Sequence, residues 1–169
     1  MGISCFPPLA SESAHTLILG SIPGKESLRQ QRYYAHPRNA FWPIMISLLE
    51  IDERGYQQNV RQLMRRGYAV WDVLQRCERA TSLDADIVPG SIEPNDFTGF
   101  LAAHPKISRV FYNGAKAEAL FERRVVPALP PRGQGLPRQR LPSTSPAHAS
   151  MTVAEKREQW RAVLPPGNG

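Results

Sequence analysis

The segment Thr16-Leu17-Ile18-Leu19-Gly20-Ser21-Ile22-Pro23-Gly24 decides the fold. Its first four residues predict a short buried strand, and the change to glycine, serine and proline predicts a loop where that strand ends. Another strand is predicted at Arg138–Leu141, and it leads into Pro142-Ser143-Thr144-Ser145-Pro146-Ala147-His148-Ala149. In a parallel sheet both loops lie at one edge, where α/β proteins bind their ligands. We therefore expect a functional site at this edge.

The rest of the chain alternates apolar strands with amphipathic helices, the order that builds a parallel sheet covered on both faces. Two more strands are predicted at residues 68–73 and 107–112, and residues 77–94 are predicted to form a long connection. Helices are predicted at residues 41–53, 56–66, 95–104 and 115–124, and from Thr152 onward. The pattern predicts an α/β fold, a three-layer α/β/α sandwich with a four-stranded, mainly parallel sheet, in a single domain covering residues 1–169.

The C-terminal third carries clear local signals. Thr152 and Glu155 have the spacing of a capping box, and Val153, Trp160 and Val163 are predicted to face the core. Residues 126–138 contain too many prolines and glycines for a regular element. The last residues, 165–169, are expected to fray.

The charge of the chain suits a polyanionic partner. A net charge of +6 and a pI of about 9.7 favour nucleic acid, because neutralising phosphates releases counterions. Most of the 21 basic residues are arginines, whose planar guanidinium group matches phosphate. A solvated basic surface that binds nothing would explain the same composition.

Several classes of protein are excluded. The two cysteines are too few for a disulfide framework or a four-thiolate iron–sulfur cluster, and no His or Cys spacing predicts a metal, so no cofactor is expected. Only three residues separate Gly20 from Gly24, and Glu26 follows Lys25 where a phosphate loop needs Ser or Thr. Without a signal peptide or a long apolar run, we expect a cytoplasmic protein that binds no membrane.

The first loop continues into Tyr33-Tyr34-Ala35-His36-Pro37-Arg38-Asn39-Ala40-Phe41-Trp42. Together with the Pro-Ser-x-Ser-Pro-Ala pattern of residues 142–147, it resembles the uracil-DNA glycosylase superfamily. Within it the chain is most similar to the deoxyinosine (hypoxanthine) DNA glycosylases, relatives of the mismatch-specific uracil glycosylases. The similarity extends from about residue 17 to about residue 160. The resemblance implies the same α/β/α fold and a DNA glycosylase activity.

A glycosylase must extrude a nucleotide, hold its base, stabilise an oxocarbenium-like sugar and direct water to C1′. Ile22 stands where many members of the superfamily have Asp or Asn, and its side chain cannot activate water. The resemblance therefore places this role on Asn39, whose amide oxygen can orient a water molecule. Capping of the helix that begins near Phe41 is the structural alternative.

Tyr34 is the candidate platform on which the extruded base stacks. A tyrosine that belongs to the core is the alternative, and Tyr33 and Phe41 are competing aromatic residues. The backbone amides of Ser21 and Ile22 could hold a carbonyl group of the base.

Two further residues could read the base. Asp72, at the end of the second strand, could accept the N1–H of hypoxanthine as a carboxylate or donate to O6 as a neutral acid. A helix cap or an ion pair with Arg76 would explain Asp72 equally well. Asn113, at the end of the third strand, could read the base or cap the following helix.

The loop after the fourth strand is predicted to clamp the DNA backbone. Its hydroxyl and amide groups can bind phosphates, while Ala147, His148 or Ala149 enters the gap left by the extruded nucleotide. His148 could also act as a general acid near the leaving group, or be a loop histidine without a function. The predicted DNA contacts are Gly24, Ser143, Thr144, Ser145, Pro146 and Ala147.

The sequence thus predicts a monofunctional DNA glycosylase that removes a deaminated base, hypoxanthine from deoxyinosine, in base excision repair. Lys25 is the only lysine near either loop, and because a lyase needs an amine at C1′, we expect hydrolysis without strand cleavage. The expected partner is double-stranded DNA with a damaged or mismatched base, bound by a monomer. The alternatives are a mismatch-specific uracil or thymine glycosylase and a non-catalytic nucleic-acid-binding domain.

Overall fold

A four-stranded parallel sheet forms the centre of the computed structural model, which describes residues 2–165. Its strands lie in the order Tyr68–Asp72, Thr16–Gly20, Arg109–Asn113 and Arg138–Leu141, and every neighbouring pair is parallel, which confirms the predicted sheet. The strands of the protein are β1 (Gly2–Ser4), β2 (Thr16–Gly20), β3 (Tyr68–Asp72), β4 (Leu74–Glu78), β5 (Glu93–Pro94), β6 (Arg109–Asn113) and β7 (Arg138–Leu141).

Helices cover both faces of this sheet. Glu50 ends the second helix earlier than predicted by adopting a left-handed conformation with φ 52°. The segment at residues 126–138, predicted to be irregular, contains a 3-10 turn at Val126–Ala128 and a short α-helix. This α-helix begins at a proline, where the missing N–H costs nothing. The α-helices are α1 (Lys25–Gln30), α2 (Phe41–Leu49), α3 (Tyr56–Arg65), α4 (Phe97–Ala103), α5 (Ala115–Arg124), α6 (Pro131–Gln134) and α7 (Val153–Trp160).

The side chains of β2 point alternately to the two faces of the sheet, and this divides the core into two layers. Leu17 and Leu19 pack with α4 and α5 on one face, whereas Ile18 packs with α2, α3 and Trp160 of α7 on the other. Side chains on successive residues of a strand point to opposite faces, so a strand whose residues are all buried must be covered on both sides. The result is the predicted three-layer sandwich.

Among residues 2–165, no helix is long and apolar enough to cross a membrane.

The long connection predicted at residues 77–94 contains strand structure that the prediction did not include. Strands β1, β4 and β5 form a small antiparallel sheet, in which Ile3 lies opposite Cys77. Only Leu74 and Cys77 of β4 are buried, and its other residues are polar, so the segment has little of the hydrophobic signal of a strand. This sheet carries the chain from the end of β3 back across the ligand-binding edge.

The capping box that opens α7 is confirmed, because Thr152 Oγ1 accepts the Glu155 N–H at 3.1 Å. Trp160 is fully buried as predicted, and its Nε1 donates to the Pro142 carbonyl at 2.9 Å. Val153, in contrast, is 53% exposed, because the first residue of the helix lies outside the face that packs on the sheet. Residues 166–169, predicted to fray, lie outside the described residues.

Candidate active site

One cavity of about 580 Å³ opens at the carboxyl ends of the parallel strands. It is formed by the loop after β2, the residues before α2, the ends of β3 and β6, the loop after β7 and the turn at residues 82–85. Ala149, one of the candidates for entering the gap, does not line the cavity. All the residues predicted for catalysis, base binding and DNA contact do: Ser21, Ile22, Gly24, Tyr34, Asn39, Asp72, Asn113, Ser143, Thr144, Ser145, Pro146, Ala147 and His148.

The two loops that are remote in sequence touch directly. The Ala40 N–H donates to the Thr144 carbonyl at 2.9 Å. Asn113 completes the junction, since its Nδ2 donates to Thr144 Oγ1 and its Oδ1 accepts the Thr144 N–H, both at 2.9 Å. Gly114 adopts φ +97°, and a Cβ there would lie 3.0 Å from the Ser143 side chain, so this glycine lets the loop after β7 approach closely.

These contacts correct the prediction for Thr144 and add a structural role for Asn113. Thr144 is 1% exposed and its side chain is bonded to Asn113, so the hydroxyl cannot reach a phosphate. Asn113 does not cap α5, and each end of its carboxamide makes one hydrogen bond to Thr144. One N–H and one lone pair of the carboxamide remain, and the side chain lines the cavity, so it can still contact a base. Both side chains also hold the loop after β7 against the end of β6.

Asp72 forms the floor of the cavity and is 4% exposed. Its Oδ2 is buried without a hydrogen-bond partner in residues 2–165. Burial raises the pKa of Asp72 to about 7, with a further rise from the charge of Asp84 and an opposing effect of Arg79. A buried carboxyl group without a partner is costly, which suggests a group kept for a ligand.

The structural explanations considered for Asp72 are wrong. Arg76 is exposed on β4, opposite Ser4, and forms no ion pair with the buried carboxyl group. No helix follows for Asp72 to cap, because β4 begins two residues later. Its neighbour across the sheet is Gly20, and a Cβ at Gly20 would lie 2.6 Å from Asp72 Oδ1.

Tyr34 lies beside this carboxyl group. Its φ of 55° is unusual for an aromatic residue, and its ring stacks on Phe41 with centroids 4.1 Å apart. The Tyr34 hydroxyl is buried without a partner among the described residues, and burial raises its pKa well above the ordinary range. Since Phe41 occupies one face of the ring, a base would have to stack on the other.

Asn39 combines the two roles that the sequence left open. Its Oδ1 accepts the Phe41 N–H at 2.9 Å at the start of α2, while the half-buried side chain lines the cavity. A carboxamide oxygen has two lone pairs, so one remains for a water molecule.

The turn at residues 81–86, here called the rim turn, was missed by the sequence analysis. Asp84 Oδ1 accepts the Ser21 hydroxyl at 2.6 Å, and Ser82 Oγ accepts the Lys25 N–H at 2.9 Å. Burial raises the pKa of the Asp84 carboxyl group, and the bond from Ser21 opposes this rise. No apolar periodicity marks the rim turn, and it reaches the cavity only because β4 reverses the chain.

The loop after β7 is stabilised by its own serines. Ser143 Oγ accepts the Ser145 N–H, and Ser145 Oγ accepts the Ala147 N–H, both at 3.2 Å. Each hydroxyl can still donate its own hydrogen to a phosphate oxygen. His148 Nε2 is buried and has no partner in the described part of the chain.

Lys156 also lies close to this loop, contrary to the prediction that Lys25 is the only nearby lysine. Its Nζ donates to the Ser145 carbonyl at 3.3 Å. Lys156 does not line the cavity, whereas Lys25 does.

Within residues 2–165, no group of three or more His, Cys, Asp or Glu side chains could hold a metal ion.

The cavity therefore combines an aromatic face, a buried acid, an amide oxygen and a hydroxyl-bearing loop on a basic protein. These are the groups that an enzyme needs to hold a planar base and to bring water to the sugar attached to it. The fold and the site together define a hydrolase that acts on nucleic acid.

Comparison with known proteins identifies the family. The model of the uracil DNA glycosylase superfamily matches residues 7–164. A hypoxanthine DNA glycosylase of Methanosarcina acetivorans is 34% identical over 94% of this chain and 96% of its own length. A hypoxanthine DNA glycosylase of Methanosarcina barkeri is 34% identical over 66% of this chain and 71% of its own length. A solution NMR structure of a candidate uracil DNA glycosylase from M. acetivorans superposes with a TM-score of 0.80, at 32% identity over 96% of both chains. The chain belongs to the uracil DNA glycosylase superfamily.

The protein is thus a DNA glycosylase, an enzyme that hydrolyses the bond between a base and deoxyribose in DNA. This agrees with the resemblance found in its sequence.

The raised pKa of Asp72 predicts a pH dependence of stability. In the unfolded chain its pKa is about 4, so the native state holds an extra proton between about pH 4 and about pH 7. Stability from this group is complete below about pH 4 and is lost as the pH rises toward 7. In urea denaturation, the free energy of unfolding of Asp72→Asn relative to the wild type should rise between about pH 4 and about pH 8. Parallel pH profiles for the two proteins would contradict the buried, partnerless state of this carboxyl group.

Proposed function

We propose that this enzyme removes hypoxanthine from deoxyinosine in duplex DNA and leaves an abasic site. The observation that carries this proposal is Asp72, a buried and partnerless carboxyl group on the floor of a cavity large enough for a purine. The relatives named hypoxanthine DNA glycosylases, which align with most of this chain, support the same substrate.

The carboxyl group of Asp72 matches the edge of hypoxanthine. The base presents an N1–H donor beside an O6 acceptor, and a neutral carboxyl group presents a carbonyl acceptor beside an O–H donor. Two hydrogen bonds therefore form with the neutral acid, whereas the carboxylate retains only the one from N1–H. Because the pKa of Asp72 is about 7, both forms are present near neutral pH.

Uracil is the second candidate base, because its N3–H and O4 present the same pair of groups. Hydrogen bonds to Asp72 alone do not distinguish hypoxanthine from uracil. Uracil is the smaller base and fills less of the cavity. The backbone amides of Ser21 and Ile22, at the end of β2, would hold a further carbonyl or ring nitrogen of the bound base.

Cleavage follows from how the other groups surround the sugar. The base stacks on the free face of Tyr34, and Asn39 uses its remaining lone pair to orient water toward C1′. The electron pair of the glycosidic bond leaves with the base, the water oxygen bonds to C1′, and the proton lost by the water is available to the departing base. The buried Nε2 of His148 is available to hydrogen-bond to that base or to an adjacent phosphate.

The DNA backbone binds at the rim of the cavity. The hydroxyls of Ser143 and Ser145 and the backbone at Gly24, Pro146 and Ala147 contact phosphates on either side of the extruded nucleotide. Lys25 lies at the cavity but is exposed, so its amine is expected to bind phosphate rather than to attack the sugar, and the strand stays uncut.

The enzyme acts as a single domain and as a monomer, in a cytoplasm whose reducing conditions suit its two free thiols.

A substrate panel tests the proposed function. Matched duplexes that contain deoxyinosine, deoxyuridine or no lesion are incubated with the enzyme and then cleaved with alkali. We expect strand breaks only after alkali, with the highest single-turnover rate for deoxyinosine. A faster reaction with deoxyuridine would assign the enzyme to uracil, and binding without any cleavage would indicate a non-catalytic domain.

Substitutions at Asn39 test its catalytic role separately from its capping bond. Asn39→Ala should lower the single-turnover rate by about 100-fold or more, the usual size of a contribution from positioning water, while binding to lesion DNA persists. Asn39→Asp keeps an oxygen for the Phe41 N–H and for water, so it should retain most of the activity. Equal losses in both variants, or an unchanged rate in Asn39→Ala, would refute the role.

A further inference from the structure

Leu83 is an apolar side chain displayed at the mouth of the cavity. It is 49% exposed, comparable with Val88 at 47% and Val153 at 53%, but of these three only Leu83 lines the cavity. Isolated exposed apolar side chains are common and need no explanation. The way in which the structure holds the Leu83 side chain does need an explanation.

Both chain neighbours of Leu83 are tied to the loop after β2. On one side Ser82 accepts the Lys25 N–H at 2.9 Å, and on the other Asp84 accepts the Ser21 hydroxyl at 2.6 Å. Leu83 therefore projects from between two anchors to the loop that forms the site.

The rim turn is also closed internally. The Leu83 N–H donates to Thr81 Oγ1 at 3.0 Å, its carbonyl accepts the Asp86 N–H at 3.0 Å, and the side chains of Thr81 and Asp86 are hydrogen-bonded to each other. The polar groups around Leu83 are thus satisfied within the protein. The leucine side chain is left as the part of the turn that faces outward.

Base extrusion leaves a gap in the duplex that an apolar side chain can fill. When a nucleotide leaves the stack, neighbouring bases lose their contacts, and enzymes that extrude bases commonly insert an apolar wedge in the gap. The loop after β7, predicted to supply this wedge, offers only Ala147, His148 and Ala149. The two alanines are small, and His148, whose buried Nε2 is assigned to the departing base or an adjacent phosphate, is polar rather than apolar.

The sheet order places Leu83 on the other side of the cavity. Strand β7, which leads into the loop at residues 142–149, is one edge of the parallel sheet, and β3, which leads through β4 to the rim turn, is the opposite edge. The loop at residues 142–149 and the rim turn therefore reach the cavity from opposite edges of the sheet.

We propose that Leu83 is the wedge that enters the duplex and occupies the gap left by the extruded nucleotide. The inference rests on the proposed function, and it assigns the stabilisation of the flipped state to the rim turn. Leu83 is then needed only when a base must leave a stacked duplex. A single-stranded substrate, whose base is already unstacked, should not require it.

The test compares Leu83→Ala with Val88→Ala on deoxyinosine in a duplex and in the same strand alone. Val88 is the matched control, because it is equally exposed and lies outside the cavity. Losing the wedge should lower the single-turnover rate on the duplex by about 10-fold or more, because the gap left by the extruded nucleotide is no longer filled. The rate on the single strand should stay within about 2-fold, and Val88→Ala should match the wild type on both substrates.

Two further measurements sharpen the result. Leu83→Met keeps the apolar bulk and should restore the duplex rate. With 2-aminopurine beside the target position, Leu83→Ala should show a smaller rise in fluorescence on binding than the wild type. Equal losses on duplex and single strand, or no loss on either, would overturn the proposal. Wild-type cleavage of the single strand tests the enzymatic function independently of the wedge.

Discussion

The cavity depends on a close fit between Gly20 and Asp72 at the ends of two neighbouring strands. These residues are paired in register, and even a methyl group at Gly20 would lie 2.6 Å from Asp72 Oδ1 and 3.1 Å from the Tyr34 hydroxyl. The missing side chain creates the space in which a carboxyl group can be buried without a partner. Burial in turn raises the pKa of Asp72 and keeps a neutral acid available to face a base.

The remaining residues divide between positioning and chemistry. Asn113 and Thr144 are hydrogen-bonded to each other, and with the bond from Ala40 to Thr144 they fix the distance between the two loops. Ser21 uses its hydroxyl to hold Asp84 and the rim turn. Tyr34, Asn39, Asp72 and His148 keep unused hydrogen-bonding capacity or an unused ring face, and they are the residues to which we assign contact with the substrate.

The sequence predicted the parallel sheet because its strands are short apolar runs followed by turn residues, a pattern that needs no tertiary information. It also predicted which residues line the cavity, since strand ends of a parallel sheet share an edge. It could not predict that Thr144 and Asn113 bond to each other, because such a contact depends on the close approach allowed by Gly114. The rim turn was missed for a related reason: β4 is mostly polar, and only its pairing with β1 reveals it as a strand.

The most direct test of the account is a crystal structure of the Asn39→Ala variant bound to a duplex that contains one deoxyinosine. We expect the hypoxanthine ring to lie outside the helix, parallel to Tyr34, with N1 and O6 within hydrogen-bonding distance of the Asp72 carboxyl group. A base that enters the cavity with this edge turned away from Asp72, or that binds outside the cavity, would contradict it.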